Sequence, residues 1–461
     1  MSTKIGRFLT QFFIGVLPWS VVISVFFSER LGIDSVRFFK EGLIALIALF
    51  FIFDSFKKKV RPHFDTLDFL IIGYILTLAI VSSVEHTPLK GIVYGLRYDA
   101  GFLLVFMVLR RAIALWGRDI SFENLAKIFL ISGGLMLAAS FVIRYIFGEM
   151  ILTELGFSPY VSQWDAGGAP PIYHGIPGAS VIRFQGMLEG PNQMAFFLII
   201  YIATYLTVMW RKRPYRFINS IVVLLLLYLM MQTYSRSGYL GVGAGMGVLA
   251  VWYLVERFRT RKFYTWRAFS WKKLFLLLVV GCGIAFMLMF QFGHKFAAIF
   301  ERHGSTSGHF ERMYIGYLRF LEQPLGHGLA SAGPASRSVA EINQNPIPIS
   351  ALNPEMSYLN AVFLKRNPDF VFSTEHYYIP ESWYIQQMIE GGIIGAAFFA
   401  LVLLMLLWKT RSNRYMFCAC LGVFIMNIFL HSFESVHSSF VLFTLLAGTM
   451  PVSDTHFSKK Y

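Results

Sequence analysis

Runs of about 16 to 22 apolar residues recur along the whole chain, each long enough to cross a bilayer. Ile218 to Thr233 carries no charge, nor does Gly238 to Val255, and only the four residues Tyr234-Ser235-Arg236-Ser237 separate them. In a bilayer, backbone polar groups must bond within their own segment, so runs like these commit the chain to helices. Charged residues make up 15% of the 461 residues, against about 25% in soluble proteins. The sequence therefore predicts an all-α polytopic membrane protein, with residues 1–461 forming one integral membrane domain. Twelve transmembrane spans are expected, at approximately 9–27, 42–54, 68–84, 91–109, 128–147, 193–210, 218–234, 238–255, 274–292, 392–408, 415–433 and 438–451. No small-residue cleavage site follows the first apolar core, so that segment reads as an anchor.

The net charge of +15 is distributed in a way that excludes nucleic acid as the partner. Basic residues crowd alternate short loops: Lys57 to Arg61, Arg110 to Arg118, Arg211 to Arg216, Arg257 to Lys273 and Lys409 to Arg414. This is the positive-inside pattern, and it predicts that both termini are cytoplasmic, with anionic membrane lipid as the partner of these charges. Two long loops then fall outside. One is 148–192, rich in Gly and Pro. The other is 293–391, which holds seven basic and nine acidic residues and apolar stretches consistent with partial helix. Loops of that length are usually functional or disordered. Cys282, Cys418 and Cys420 all lie in predicted spans and read as small apolar filler.

In this topology Arg236 stands at an outer membrane surface, in a turn too short to hide its charge. Arg183 and Arg312 lie in the outer loops, Arg97 within the fourth span and Arg144 near the outer end of the fifth. A guanidinium keeps its charge and matches phosphate oxygens with a two-pronged fork. Several of them at one outer boundary suit a lipid diphosphate, which has an apolar tail and a compact anionic head. Each arginine also has an ordinary reading. Arg144 can snorkel to the interface, Arg97 can pair with Asp99 or a neighbouring helix, and Arg183 and Arg312 can be loop arginines. Glu375, His376 and Glu381 are the candidate acid–base groups, because a carboxylate or imidazole there could take a proton from an attacking sugar hydroxyl. For Glu381 the alternative is a salt bridge to a loop arginine. No metal-ligand spacing is visible, and no cofactor is expected.

Taken together these segments resemble the O-antigen ligase/O-antigen polymerase superfamily of bacterial inner-membrane glycosyltransferases. Ser235-Arg236-Ser237-Gly238-Tyr239-Leu240 is similar to the family's arginine–three residues–leucine motif. Arg183, Gly186, Pro191 and Asn192 resemble its arginine–glycine–proline–asparagine segment. Arg312, followed by Pro324, Gly326 and Gly328, resembles its outer-loop signature. The resemblance covers about residues 180 to 435. It implies a metal-independent transfer from a glycan on undecaprenyl diphosphate to a sugar hydroxyl, at the outer face of the cytoplasmic membrane. Arg236 and Arg312 would hold the diphosphate, with Arg183 and Arg97 as further candidates. In the ligase branch a histidine, proposed as base, precedes a glycine with ten residues between them. Counting back from Gly392 that place is Glu381, with His376 as the second candidate. A polymerase of lipid-linked repeat units is the leading expectation. A ligase that moves finished glycan onto a lipid or other acceptor is the alternative within the family, and a polysaccharide transporter or flippase is the alternative of another class.

Overall fold

The computed structural model describes residues 2–60, 63–159, 169–172, 175–176, 179–209, 215–260, 303–339 and 379–450. Helix α1 (Ser2–Val16) continues through irregular turns and α2 (Ser20–Val25) into one apolar rod ending at Arg30. α3 (Phe39–Lys57) and α4 (Thr66–Val84) follow, then α5 (Leu89–Asp99) and α6 (Gly101–Trp116), which meet at a bend of 59°. After α7 (Phe122–Val142) and the single turn α8 (Ile151–Glu154), two short antiparallel strands, β1 (Gly175–Ile176) and β2 (Ala179–Ile182), interrupt the helices. The chain resumes with α9 (Pro191–Met209), α10 (Arg216–Gln232), α11 (Arg236–Thr260) and α12 (His303–Glu322). It closes with α13 (Trp383–Thr410), α14 (Arg414–Met426) and α15 (Val436–Thr449).

The expectation of twelve spans is overturned. Among the described residues six helices are long and apolar enough to cross a membrane, or seven if the bent α5–α6 pair counts as one span. Apolar runs were a poor guide to crossings for three physical reasons. α10, α14 and α15 are short; 13 to 17 residues rise only about 20–26 Å, less than the hydrocarbon core of about 30 Å. α15 is buried almost throughout, so it is apolar because protein surrounds it. α3 is interrupted by charge: Asp54 is buried and accepts from Thr3 Oγ1 at 2.7 Å and Trp116 Nε1 at 2.9 Å. The predicted ninth span, 274–292, lies outside the described residues.

An ionic network ties four helix ends together. Asp65 and Asp68 cap the start of α4 reciprocally. Buried Arg110 pairs with Asp65 and donates to the Met450 carbonyl at 2.7 Å. Arg111 reaches Asp68 at 2.8 Å, and Lys409 reaches Asp65 at 3.0 Å. Lys409 is in the last turn of α13, so the first turn of that helix, at Trp383, belongs to the opposite end of the bundle. There an aromatic cluster holds it: the Phe433 ring lies 4.9 Å from Phe102 and 5.6 Å from Trp383.

Candidate active site

Glu381 stands immediately before α13, in a left-handed backbone conformation (φ 54°) that costs a non-glycine residue about 1–2 kcal/mol. Its surroundings hold it there. Arg312 Nη1 donates to Oε1 at 2.8 Å, and His309 Nδ1 lies 3.1 Å from Oε2. Both partners come from α12, one helical turn apart, so they share a face. Burial by itself pushes the Glu381 carboxyl up. The His309 imidazole beside it, with the charges of His431 and Arg312, outweighs burial and holds it at about 2. Arg312 is half-exposed at 58%, so its guanidinium can meet an anion from outside while bonded to Glu381.

The first part of α13 is clamped by the segment Pro324-Leu325-Gly326-His327-Gly328. His327 N donates to Ile389 O at 2.7 Å, Gly328 N to Glu390 O at 3.0 Å and Ile393 N to Pro324 O at 2.9 Å. The helix breaks at Gly392 (φ 63°), where the two backbones touch. A Cβ on Gly326 (φ 103°) would lie 2.6 Å from Gly392 N. Only glycine allows that approach in that conformation.

Arg236 opens α11, whose first turn is capped by Ser235 Oγ accepting from Gly238 N at 3.3 Å. Arg183 is bolted to the same turn: Nε donates to Thr233 O at 2.9 Å, and Nη2 donates to Asn192 Oδ1 at 2.8 Å. α11 and α14 run antiparallel in close contact. A Cβ on Gly241 would lie 2.6 Å from Gly422 O, and one on Gly245 would lie 2.9 Å from Cys418 O. Arg236 therefore lies at the end of α11 beside the C-terminal end of α14. From that end Asn427 O accepts from Trp383 N at 3.1 Å, and the Phe429 ring meets Phe310 at 6.5 Å. Arg236, Arg183, Arg312, His309 and Glu381 thus belong to one end of the bundle.

Residues 221–400 match a protein-family model described as O-Antigen ligase. Over that stretch the chain is similar to the O-antigen ligase family. No curated protein matched the chain. The matched residues include Arg236, Arg312 and Glu381; Arg183 and Arg97 precede them.

Other arginines and titratable groups are placed differently. Arg97 bonds Glu41 at 2.6 Å and the Arg37 carbonyl at 3.0 Å, and lies over the Phe38 ring. It does not bond Asp99, which accepts from Gln386 at 2.9 Å and Gln387 at 3.0 Å. Arg144 pairs with Glu149 at 2.6 Å and donates to Ile182 O at 2.8 Å. His327 uses its ring on the Arg319 carbonyl, at 2.9 Å. His376 and Glu375 lie outside the described residues. Among the described residues no group of three or more His, Cys, Asp or Glu could hold a metal ion.

Three groups beside the site have no counterpart in the sequence reading. His309 precedes Arg312 by three residues, and that spacing on a helix was the available signal. His431, in the α14–α15 connection, is a partner of the Glu381 charge; burial pushes its imidazole down to about 4. Glu390 is fully buried in α13, an acidic residue within a membrane helix, which is by itself a reason to look there.

Proposed function

We propose that this chain is a membrane glycosyltransferase that polymerises undecaprenyl-diphosphate-linked glycan units at the outer face of the bacterial cytoplasmic membrane. The observation that carries the reading is the 2.8 Å contact between Arg312 and Glu381 within the family-matched stretch. It sets a cation suited to a diphosphate beside a carboxylate suited to the acceptor side. Arg236 and Arg312 hold the diphosphate of the donor, and Arg183 braces the turn that presents Arg236. An acceptor sugar hydroxyl attacks the anomeric carbon, the bond to the diphosphate breaks, and the guanidinium groups stabilise the charge that develops on the leaving group. No step in this scheme needs a metal. Glu381 serves the acceptor hydroxyl, and His376 is a second candidate for that task.

Charge supports the outer face. Arg110, Arg111 and Lys409 gather at the end of the bundle opposite Trp383, where the positive-inside rule puts the cytoplasm. Both termini then lie inside, and the outer loops 148–192 and 293–391 belong to a single membrane domain. A ligase that hands finished glycan to a lipid A-core or other acceptor is the second reading, favoured by the description of the matched family. Replacing Arg236 by Ala in cells separates the readings. A polymerase leaves lipid-linked single repeats to accumulate. If repeats are still joined and only the final transfer fails, the protein is a ligase. If repeats never reach the outer face, a flippase replaces both.

A further inference from the structure

Glu381 Oε1 accepts from Arg312, and Oε2 lies 3.1 Å from His309 Nδ1. A carboxylate held at about 2 is a feeble base at neutral pH. The same arrangement makes a good orienter. A carboxylate facing Nδ1 keeps the proton of a neutral imidazole on that nitrogen and leaves Nε2 as the acceptor. His309 is 32% exposed, so the ring is not sealed beneath its neighbours. α12 is pinned just after it, by Phe310 against Phe429 and by the Arg312 bond to Glu381.

From this geometry, and resting on the glycosyl-transfer reading above, we infer that His309 is the general base and Glu381 its positioning residue. The acceptor hydroxyl gives its proton to His309 Nε2 as its oxygen bonds to the anomeric carbon. The electron pair of the broken bond leaves with undecaprenyl diphosphate, beside Arg312. The imidazolium that forms is stabilised by Glu381 and then releases its proton to water. The place held in the ligase branch by a histidine is thus divided here. The carboxylate occupies the sequence position, and the imidazole arrives from α12. Among the described residues, the charged and titratable groups facing the pair are Arg312 on α12 and His431 on the α14–α15 connection.

The test uses full-length protein in nanodiscs, with lipid-linked glycan extracted from cells deleted for the chain as donor and acceptor. His309→Ala and His309→Gln should lower kcat by about 10²–10⁴-fold with KM changed by less than about threefold. Imidazole added to His309→Ala should restore at least about tenfold of the loss. Glu381→Gln should lower kcat with KM changed by less than about threefold, because the imidazolium loses its counter-charge. Turnover of His309→Gln within about threefold of the parent would overturn the inference. So would a loss in His309→Ala that imidazole does not rescue, accompanied by a lowered melting temperature. In either case an inactive Arg236→Ala leaves the glycosyl-transfer reading standing, whereas a fully active Arg236→Ala removes that reading itself.

Discussion

Arg312 and Glu381, 69 residues apart in sequence, meet through a 2.8 Å hydrogen bond from Nη1 to Oε1. The contact joins two separate elements. Arg312 rides on α12, and Glu381 stands at the threshold of the membrane helix α13.

Acid should destabilise the protein in two stages. His431 is partly buried, with its imidazole lowered by desolvation to about 4, while an unfolded histidine titrates near about 6.5. Between those values the unfolded chain binds the proton more readily, so stability falls as pH falls. Glu381 is lowered to about 2 against about 4.3 in the unfolded chain. Its contribution is complete above about 4.3 and is lost as pH drops toward 2. Melting temperatures in detergent should therefore decline from about pH 6.5 to 4 and again below about 4.3. His431→Gln should flatten the first decline and Glu381→Gln the second. Unchanged curves for both variants would contradict the assigned environments.

Gly392→Ala should damage the site without removing any polar group. The added Cβ meets the Leu325 backbone, and φ 63° is itself unfavourable for alanine. Strain of about 1–3 kcal/mol is expected before the clash is counted. The clamp between 324–328 and α13 should loosen, and proteolysis of the α12–α13 region in nanodiscs should quicken. Gly247→Ala, at a position with nothing within 4 Å of the added Cβ, is the control and should behave as the parent.

Arg183→Ala should weaken activity through the turn it braces. The variant leaves the Thr233 carbonyl, in a fully buried residue, without that donor, at a cost of about 1–3 kcal/mol. Arg183→Lys should restore little, because one ammonium does not reproduce the separated bonds to Thr233 O and Asn192 Oδ1. A tenfold or greater fall in kcat for both variants is the expected outcome. Full activity of the lysine variant would show that charge alone is needed.

Arg97 and Glu41 should act as a unit. Arg97→Gln alone strands a largely buried carboxylate and should lower the melting temperature. Arg97→Gln with Glu41→Gln should recover most of that loss. If the double variant folds and still turns over lipid-linked glycan, Arg97 braces the bundle. If it folds and binds donor weakly, Arg97 is a diphosphate ligand in its own right.

The elements were legible to different degrees. Uncharged runs marked nearly all the long helices, because a bilayer leaves the backbone no other way to satisfy its hydrogen bonds. They overcounted crossings, because α14 and α15 are as apolar as spans while being buried in protein or too short. Arg236, Arg183 and the Pro324–Gly328 segment stood out as motifs. Their physical reasons appear only in contact: Arg183 holds the turn before Arg236, and Gly326 lies against Gly392. Its spacing to Arg312 was the one local sign of His309, because the partner, Glu381, lies 72 residues downstream.

Composition and the run of apolar segments along the chain were enough to determine a largely helical, multi-span membrane protein. Those properties depend on each segment's own transfer energy between water and lipid. The tertiary structure alone decided which apolar helices are core, which arginines are spent on neighbours, and which imidazole meets Glu381. Such outcomes depend on pairs of residues brought together across long stretches of chain, where hydrogen-bond distance and burial, and not residue type, settle what a charge can do.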